Sequence, residues 1–241
     1  MGATLNFLSR QLFVTPTHAD PHRCSLIGQC GIVTGSNAGL GYEAAKQLLE
    51  LGINTLILAV RSLERGAEAR ERLLASSSYP EAEILVWQLD MCSYDSIQAF
   101  VARCQDLPRL DFALLNAGVV KFDFEANEQT GHEQTIQVNV LSTSLLALLL
   151  VPVISEKKKP AGPGKITIVG SEVAEFAKFK ARHEDPFLPY LDNAKAYDAV
   201  EQYNVSKLLQ QYFVSEVSRR IDREKVVVNI ANPGFCYGSV R

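Results

Sequence analysis

Short apolar runs alternate with longer stretches of helical periodicity along most of this chain. The runs at 30–34, 55–60, 82–89, 111–115, 166–169 and 226–230 are rich in Ile, Val and Leu and are bounded by turn-forming residues. Such runs predict strands buried on both faces. Between them, 42–51, 63–75, 96–104, 130–151 and 196–221 carry apolar residues three and four apart, the spacing of one helix face. Strand and helix in alternation call for an α/β fold: a doubly wound parallel sheet with helices on both faces, the Rossmann arrangement. Right-handed crossovers leave few other topologies. Residues 1–26 lack the alternation and read as an irregular arm, with 27–241 as the nucleotide-binding domain.

Composition narrows the function. The chain has 241 residues, 47% of them hydrophobic and 21% charged, which suits a folded core rather than disorder. A net charge of −3 supplies no basic field for nucleic acid. The basic run Lys157-Lys158-Lys159 precedes Pro160-Ala161-Gly162-Pro163-Gly164 and reads as a solvated turn. The five cysteines include no CxxC pair, and His18 and His22 near Cys24 match no zinc spacing. A reducing, cytoplasmic setting without a structural metal is expected. Arg10 interrupts the first apolar residues, and Asn6 stands where a myristoylation signal has Ser or Thr. The stretch 138–154 contains Asn139, Ser142, Thr143, Ser144 and Pro152, so a buried helix is expected rather than an integral membrane segment.

The first predicted strand runs into Thr34-Gly35-Ser36-Asn37-Ala38-Gly39-Leu40-Gly41, and a helix follows. A tight strand-to-helix turn needs unusual φ and ψ, and a pyrophosphate must approach bare backbone; both favour glycine. The helix that follows offers free N–H groups and the positive end of its dipole. This predicts dinucleotide binding. At the end of the second strand, Leu58-Ala59-Val60-Arg61-Ser62 lacks the acid that would hold a ribose 2′-hydroxyl. Arg61 stands where a 2′-phosphate wants a planar cation, so NADP(H) is the expected cofactor. Tyr203 and Lys207 are four apart in a helical stretch and share a face. A phenol titrates near ~10, and a neighbouring ammonium is expected to bring it down into the range of acid–base work on a carbonyl oxygen.

Taken in order, these residues resemble the short-chain dehydrogenase/reductase family from Cys30 onward. The matching pieces are the glycine turn, Asp90 after the third strand, and Asn116-Ala117-Gly118 after the fourth. They continue with Asn139, Ser171, Tyr203-Asn204-Val205-Ser206-Lys207 and Asn232-Pro233-Gly234. The phrases "FLSRQLFVTP" and "NPGFCYGS" look like a fungal branch tied to secondary metabolism. The resemblance implies hydride transfer between NADP(H) and a small carbonyl or alcohol substrate. It gives Ser171, Tyr203, Lys207 and Asn139 the catalytic work: Ser171 bonds the substrate oxygen, and Asn139 fixes a water that connects Lys207 to solvent. Gly35, Ser36, Asn37, Gly39, Leu40, Gly41, Arg61, Asp90, Asn116, Ala117, Gly118, Pro233 and Gly234 would line the cofactor, with Tyr203 and Lys207 reaching its nicotinamide ribose. The helices at 130–151 and 196–221 resemble those that pair across family dimers, which leaves a homodimer open.

Two departures from the family pattern set further expectations. Ser171 and Tyr203 are 32 positions apart, and the extra segment 172–196 holds Phe176, Phe179, Phe187, Leu188 and Tyr190. A long aromatic segment beside the catalytic serine predicts a substrate wall. The sequence also stops at Arg241, where family members continue through a substrate-covering segment and a seventh strand. The competing expectation is therefore a truncated, inactive paralogue or cofactor-binding module.

Overall fold

The computed structural model describes residues 9, 13–15, 17–21, 23–76, 81–158, 162–234 and 236. The apolar arm residues Phe7, Leu8 and Leu12, the turn residues Lys159, Pro160 and Ala161, and Phe235 and 237–241 of the last family phrase lie outside them.

Six strands form one sheet: β1 (Cys30–Thr34), β2 (Thr55–Val60), β3 (Glu83–Gln88), β4 (Phe112–Leu115), β5 (Gly164–Val169) and β6 (Val226–Ala231). Every pairing is parallel, in the order β3-β2-β1-β4-β5-β6. The strands read as continuous apolar runs because both faces are used. Ile32, Ile57, Ala59, Ala113, Ile166 and Ile168 point into one core. There they meet helices α3 (Tyr94–Gln105), α4 (Gln134–Lys157) and α6 (Ala199–Arg220). Val33, Leu56, Leu58 and Val60, one residue out of phase, pack on α1 (Gly39–Glu50) and α2 (Leu63–Ser76). The chain order reverses between β1 and β4, so a crevice opens beyond the carboxyl ends of those strands, the usual ligand position in such sheets.

Helix α4 starts later than the periodicity suggests. Gly131 sits at φ 77°, in left-handed backbone that stops a helix from beginning at Thr130. The fully buried Glu133 starts it instead, its carboxylate accepting from the N–H groups of Thr135 at 2.9 Å and Ile136 at 3.0 Å. Over Gln137–Ser142 the helix widens into a π-type turn, and Thr143 Oγ1 donates to the Val138 carbonyl at 2.8 Å. Pro152 lies inside the helix with its ring on the exposed side. By length and composition α4 could cross a membrane, yet Leu146, Leu150, Val153 and Ile154 are buried in the core.

Segment 172–196 is folded. Helical turns at Glu172–Phe176, Lys180–His183 and Ala194–Ala196 and helix α5 (Leu188–Leu191) fill it. Ala181, Leu191, Phe179, Phe187, Leu188 and Tyr190 form a small core with Ile136 of α4 and Val205 of α6. Most of its aromatics therefore face inward; Phe176, 39% exposed, is the one left on the surface.

Candidate active site

The glycine turn leaves β1 at the switch point. Gly35 and Gly39 have φ of 64° and 54°, which side chains rarely adopt. A Cβ on Gly41 would lie 2.4 Å from the Gly35 carbonyl oxygen, so α1 can start against the turn only with glycine there. Ala38 precedes the helix without a side-chain cap, and its first turn holds no acid. The first N–H groups are thus free for an anion, the donor set a pyrophosphate fits. The turn is braced from three sides. Asn116 Nδ2 donates to the carbonyls of Thr34 at 3.0 Å and Gly35 at 3.4 Å. The Ala117 N–H donates to Thr34 Oγ1 at 2.9 Å. Arg72, its guanidinium 4.4 Å over the Tyr42 ring, donates to the Asn37 carbonyl at 3.1 Å. Ser36 is buried and donates back to the Val33 carbonyl at 2.9 Å, so only its backbone can serve a cofactor.

Past the carboxyl ends of β2 and β3, a polar cavity of about 510 Å³ is lined by Arg61, Asp90, Cys92, Ser93 and Asn127 among others. Asp90 does not cap α3. Ser93 does, and Asp90 Oδ1 accepts from the Cys92 N–H at 2.9 Å, which fixes its carboxylate at the cavity wall. Glu125 and Glu128 also line this space, so Arg61 shares it with acids that would compete for its charge. Gly118 follows β4, where a Cβ would come 3.2 Å from Asn139 Oδ1. Pro233 and Gly234 leave the end of β6, with the Gly234 N–H donating to Asn232 Oδ1 at 3.2 Å.

Ser171 follows β5 in extended backbone and caps the turn Glu172–Phe176, its Oγ accepting from the Val173 N–H at 3.4 Å. Lys207, only 5% exposed, donates from Nζ to the Val169 carbonyl at 2.9 Å, and that ammonium lies 5.6 Å from the Tyr203 ring centre. Burial pushes Lys207 down to about 8. Tyr203 departs from the sequence-based expectation: burial pushes its phenol up, and the opposing influence is the Ser171 hydrogen bond, not Lys207.

Asn139 sits in the π-type turn with its side chain fully engaged. Oδ1 accepts from the Val119 N–H at 2.9 Å; Nδ2 donates to the Val119 carbonyl at 2.9 Å and to Ser206 Oγ at 3.1 Å. Gln210 Nε2 donates to its backbone carbonyl at 2.7 Å. Asn139 thus ties the loop after β4 to α4 and α6, and holding a water would fall to the second lone pair of that carbonyl. Glu133, Gln202, Gln210 and Arg72 went unnoticed in the sequence. Each is an ordinary polar residue that bonds across distant elements, Glu133 in addition to its local cap. Among the described residues no His/Cys/Asp/Glu group could hold a metal ion, and all five cysteines are free.

A family model for short chain dehydrogenases matches residues 29–181. A short chain dehydrogenase/reductase of Annulohypoxylon moriforme, mfmJ, is 46% identical over 235 residues, covering 97% of this chain and 68% of that protein. Among solved structures, the Pseudomonas aeruginosa RhlG/NADP active-site complex superposes with a TM-score of 0.69 at 24% identity, covering 91% of this chain and 77% of that one. A Burkholderia phymatum short chain dehydrogenase/reductase in complex with NAD superposes with a TM-score of 0.65 at 19% identity, covering 88% and 67%.

Proposed function

The chain belongs to the short-chain dehydrogenase family, and from that we propose that it is an NADP(H)-dependent oxidoreductase that reduces a ketone or aldehyde, in fungal secondary metabolism. The observation that carries the reading is the buried Lys207 one helical turn from Tyr203, with Ser171 following β5 at the carboxyl ends of the strands that also bear the glycine turn. The fold is shared by an NADP complex and an NAD complex, so the cofactor preference rests on Arg61 and the missing acid at the end of β2.

When bound, the nicotinamide exchanges the hydride with the substrate carbon. The chain's own residues do the rest. The glycine turn and the start of α1 hold the pyrophosphate; Asp90 and Arg61 hold the adenosine end. Ser171 donates to the substrate oxygen and stabilises the charge that develops there. Tyr203, kept protonated by its raised pKa, delivers the proton to that oxygen. Lys207 binds the ribose hydroxyls and sets a positive charge beneath the phenolate left behind.

Fluorescence titration with NADPH and NADH tests the cofactor, and NADPH consumption with carbonyl probes tests the reaction. The parent protein binds NADPH more tightly. Arg61→Asp reverses the preference, with a loss for NADPH of about 1.5–3 kcal/mol if one charge-assisted bond is removed. Tyr203→Phe ends turnover and leaves the NADPH Kd nearly unchanged. Equal or tighter NADH binding by the parent sinks the NADP assignment. A Tyr203→Phe protein that keeps most of its rate places the proton donor elsewhere.

A further inference from the structure

The two residues that precede Tyr203 in α6 both grip segment 172–196. Glu201 accepts from the N–H of Lys178 at 3.0 Å and of Phe179 at 2.8 Å. Phe179 has φ 43°, the one non-glycine residue in left-handed backbone among those described, a conformation that persists only where its surroundings impose it. On the other side, the two N–H groups of Gln202 Nε2 are both taken. One goes to Glu133 Oε2 and one to the Leu191 carbonyl, each at 2.9 Å. Glu133 caps α4, the helix of Asn139, and its N–H donates to Asp192 Oδ1 at 2.8 Å. Gln202 is therefore a single buried junction between the segment that starts at Ser171, the helix that carries Asn139, and the helix that carries Tyr203.

We propose that Gln202 and Glu201 are positioning residues for Tyr203: by clamping segment 172–196 onto α6 they keep Ser171 and the phenol in register. The proposal rests on the functional reading above. The physical need is plain. Ser171 and Tyr203 come from elements 32 residues apart and must meet the same substrate oxygen. From the β6 side, the Glu172 N–H donates to Asn232 Oδ1 at 3.3 Å. Toward α6, Glu201 and Gln202 supply the side-chain ties. A buried amide with both N–H groups paired holds such a junction rigidly, because letting go leaves a buried carboxylate and a buried carbonyl short of a donor.

The test uses the full chain with 9,10-phenanthrenequinone as the carbonyl probe. The variants are Gln202→Leu and the isosteric Glu201→Gln, which keeps size and an acceptor. Gln202→Leu should lower kcat by about tenfold or more, in line with the cost of misplacing reacting groups, while the NADPH Kd stays within about twofold. The isotope effect with NADPH deuterated at the transferred position should rise, and hydrogen exchange should quicken in 172–196 but not at the glycine turn. Glu201→Gln should shift the same quantities less, and it carries the test if Gln202→Leu does not fold. Unchanged kcat and exchange in the folded variants overturn the proposal. So does a fall in kcat matched by an equal loss of NADPH affinity, which marks general damage. A parent protein that binds NADPH but turns over no carbonyl overturns the functional reading instead. Exchange in 172–196 then decides the clamp, an unchanged rate refuting it.

Discussion

Burial moves Lys207 and Tyr203 of α6 in opposite directions, and the signs fix a pH dependence. Lys207, lowered to about 8, is charged below that pH and neutral above it. Tyr203, raised above its ordinary value, keeps its proton throughout this range. Reduction needs a protonated phenol and an ammonium to stabilise the phenolate that forms, so the reduction rate should fall as pH rises through about 8. Oxidation, which draws on the phenolate, should rise with pH. Rate profiles for both directions at constant ionic strength check this. A reduction rate that stays flat to high pH would free Lys207 of its assigned charge. In Lys207→Met the lower residual rate should lose the step. The pair was legible in the sequence because a four-residue spacing on a helix places both groups without knowledge of anything else. The direction of the phenol's shift was not, because it is set by burial, which depends on how distant elements pack around Tyr203.

At the scale of elements, the strands could be read almost to the residue, since burial on both faces leaves an uninterrupted apolar run. The same periodicity misplaced the start of α4: it tracks apolar positions and is blind to a left-handed Gly131 and an unusual Glu133 cap. It was equally blind to the π-type turn around Asn139, and to the folding of 172–196, whose small core draws on Ile136 and Val205. The turn before α1 shows how local preference and packing can conflict. Alanine is a better helix former than glycine by ~1 kcal/mol, so Gly41→Ala taken alone should stabilise the protein. Here the new Cβ would meet the Gly35 carbonyl oxygen at 2.4 Å and Asn116 Nδ2 at 2.5 Å. One is backbone, and the other is held by its bonds to the turn. Gly41→Ala should therefore lower the melting temperature and weaken NADPH binding by about tenfold or more, a loss of ~1.4 kcal/mol or beyond. Calorimetry and cofactor titration read both quantities. A stabilised variant with parental affinity would show that α1 need not start so close to the turn.

Over the whole molecule, the two faces of the sheet are covered unequally. α3, α4 and α6 span the first face from β3 to β6, whereas α1 and α2 reach only β1, β2 and β3 on the second. Over the far half, Phe112 and Leu114 are half-buried and help line a cavity of about 550 Å³ with Lys165 and Thr167. Among the described residues, β6 is paired only with β5, so its outer edge presents free N–H and C=O groups. The glycine turn, Asn116 and Ser171 follow the carboxyl ends of β1, β4 and β5, where a dinucleotide would bridge these strands. A ligand placed there adds contacts across these strand ends, and it binds the folded state alone. The stabilisation is RT ln(1 + [L]/Kd), or ~2.7 kcal/mol at a hundredfold excess over Kd. At roughly 2–4 °C per kcal/mol for a chain of this size, NADPH should raise the melting temperature by about 5–10 °C. NADH at the same concentration should raise it less, by an amount set by the logarithm of its weaker affinity. Melts with each cofactor and with neither decide the matter. A melting temperature indifferent to NADPH would mean that the glycine turn of the folded chain holds no dinucleotide, and fluorescence titration of the same sample checks that directly.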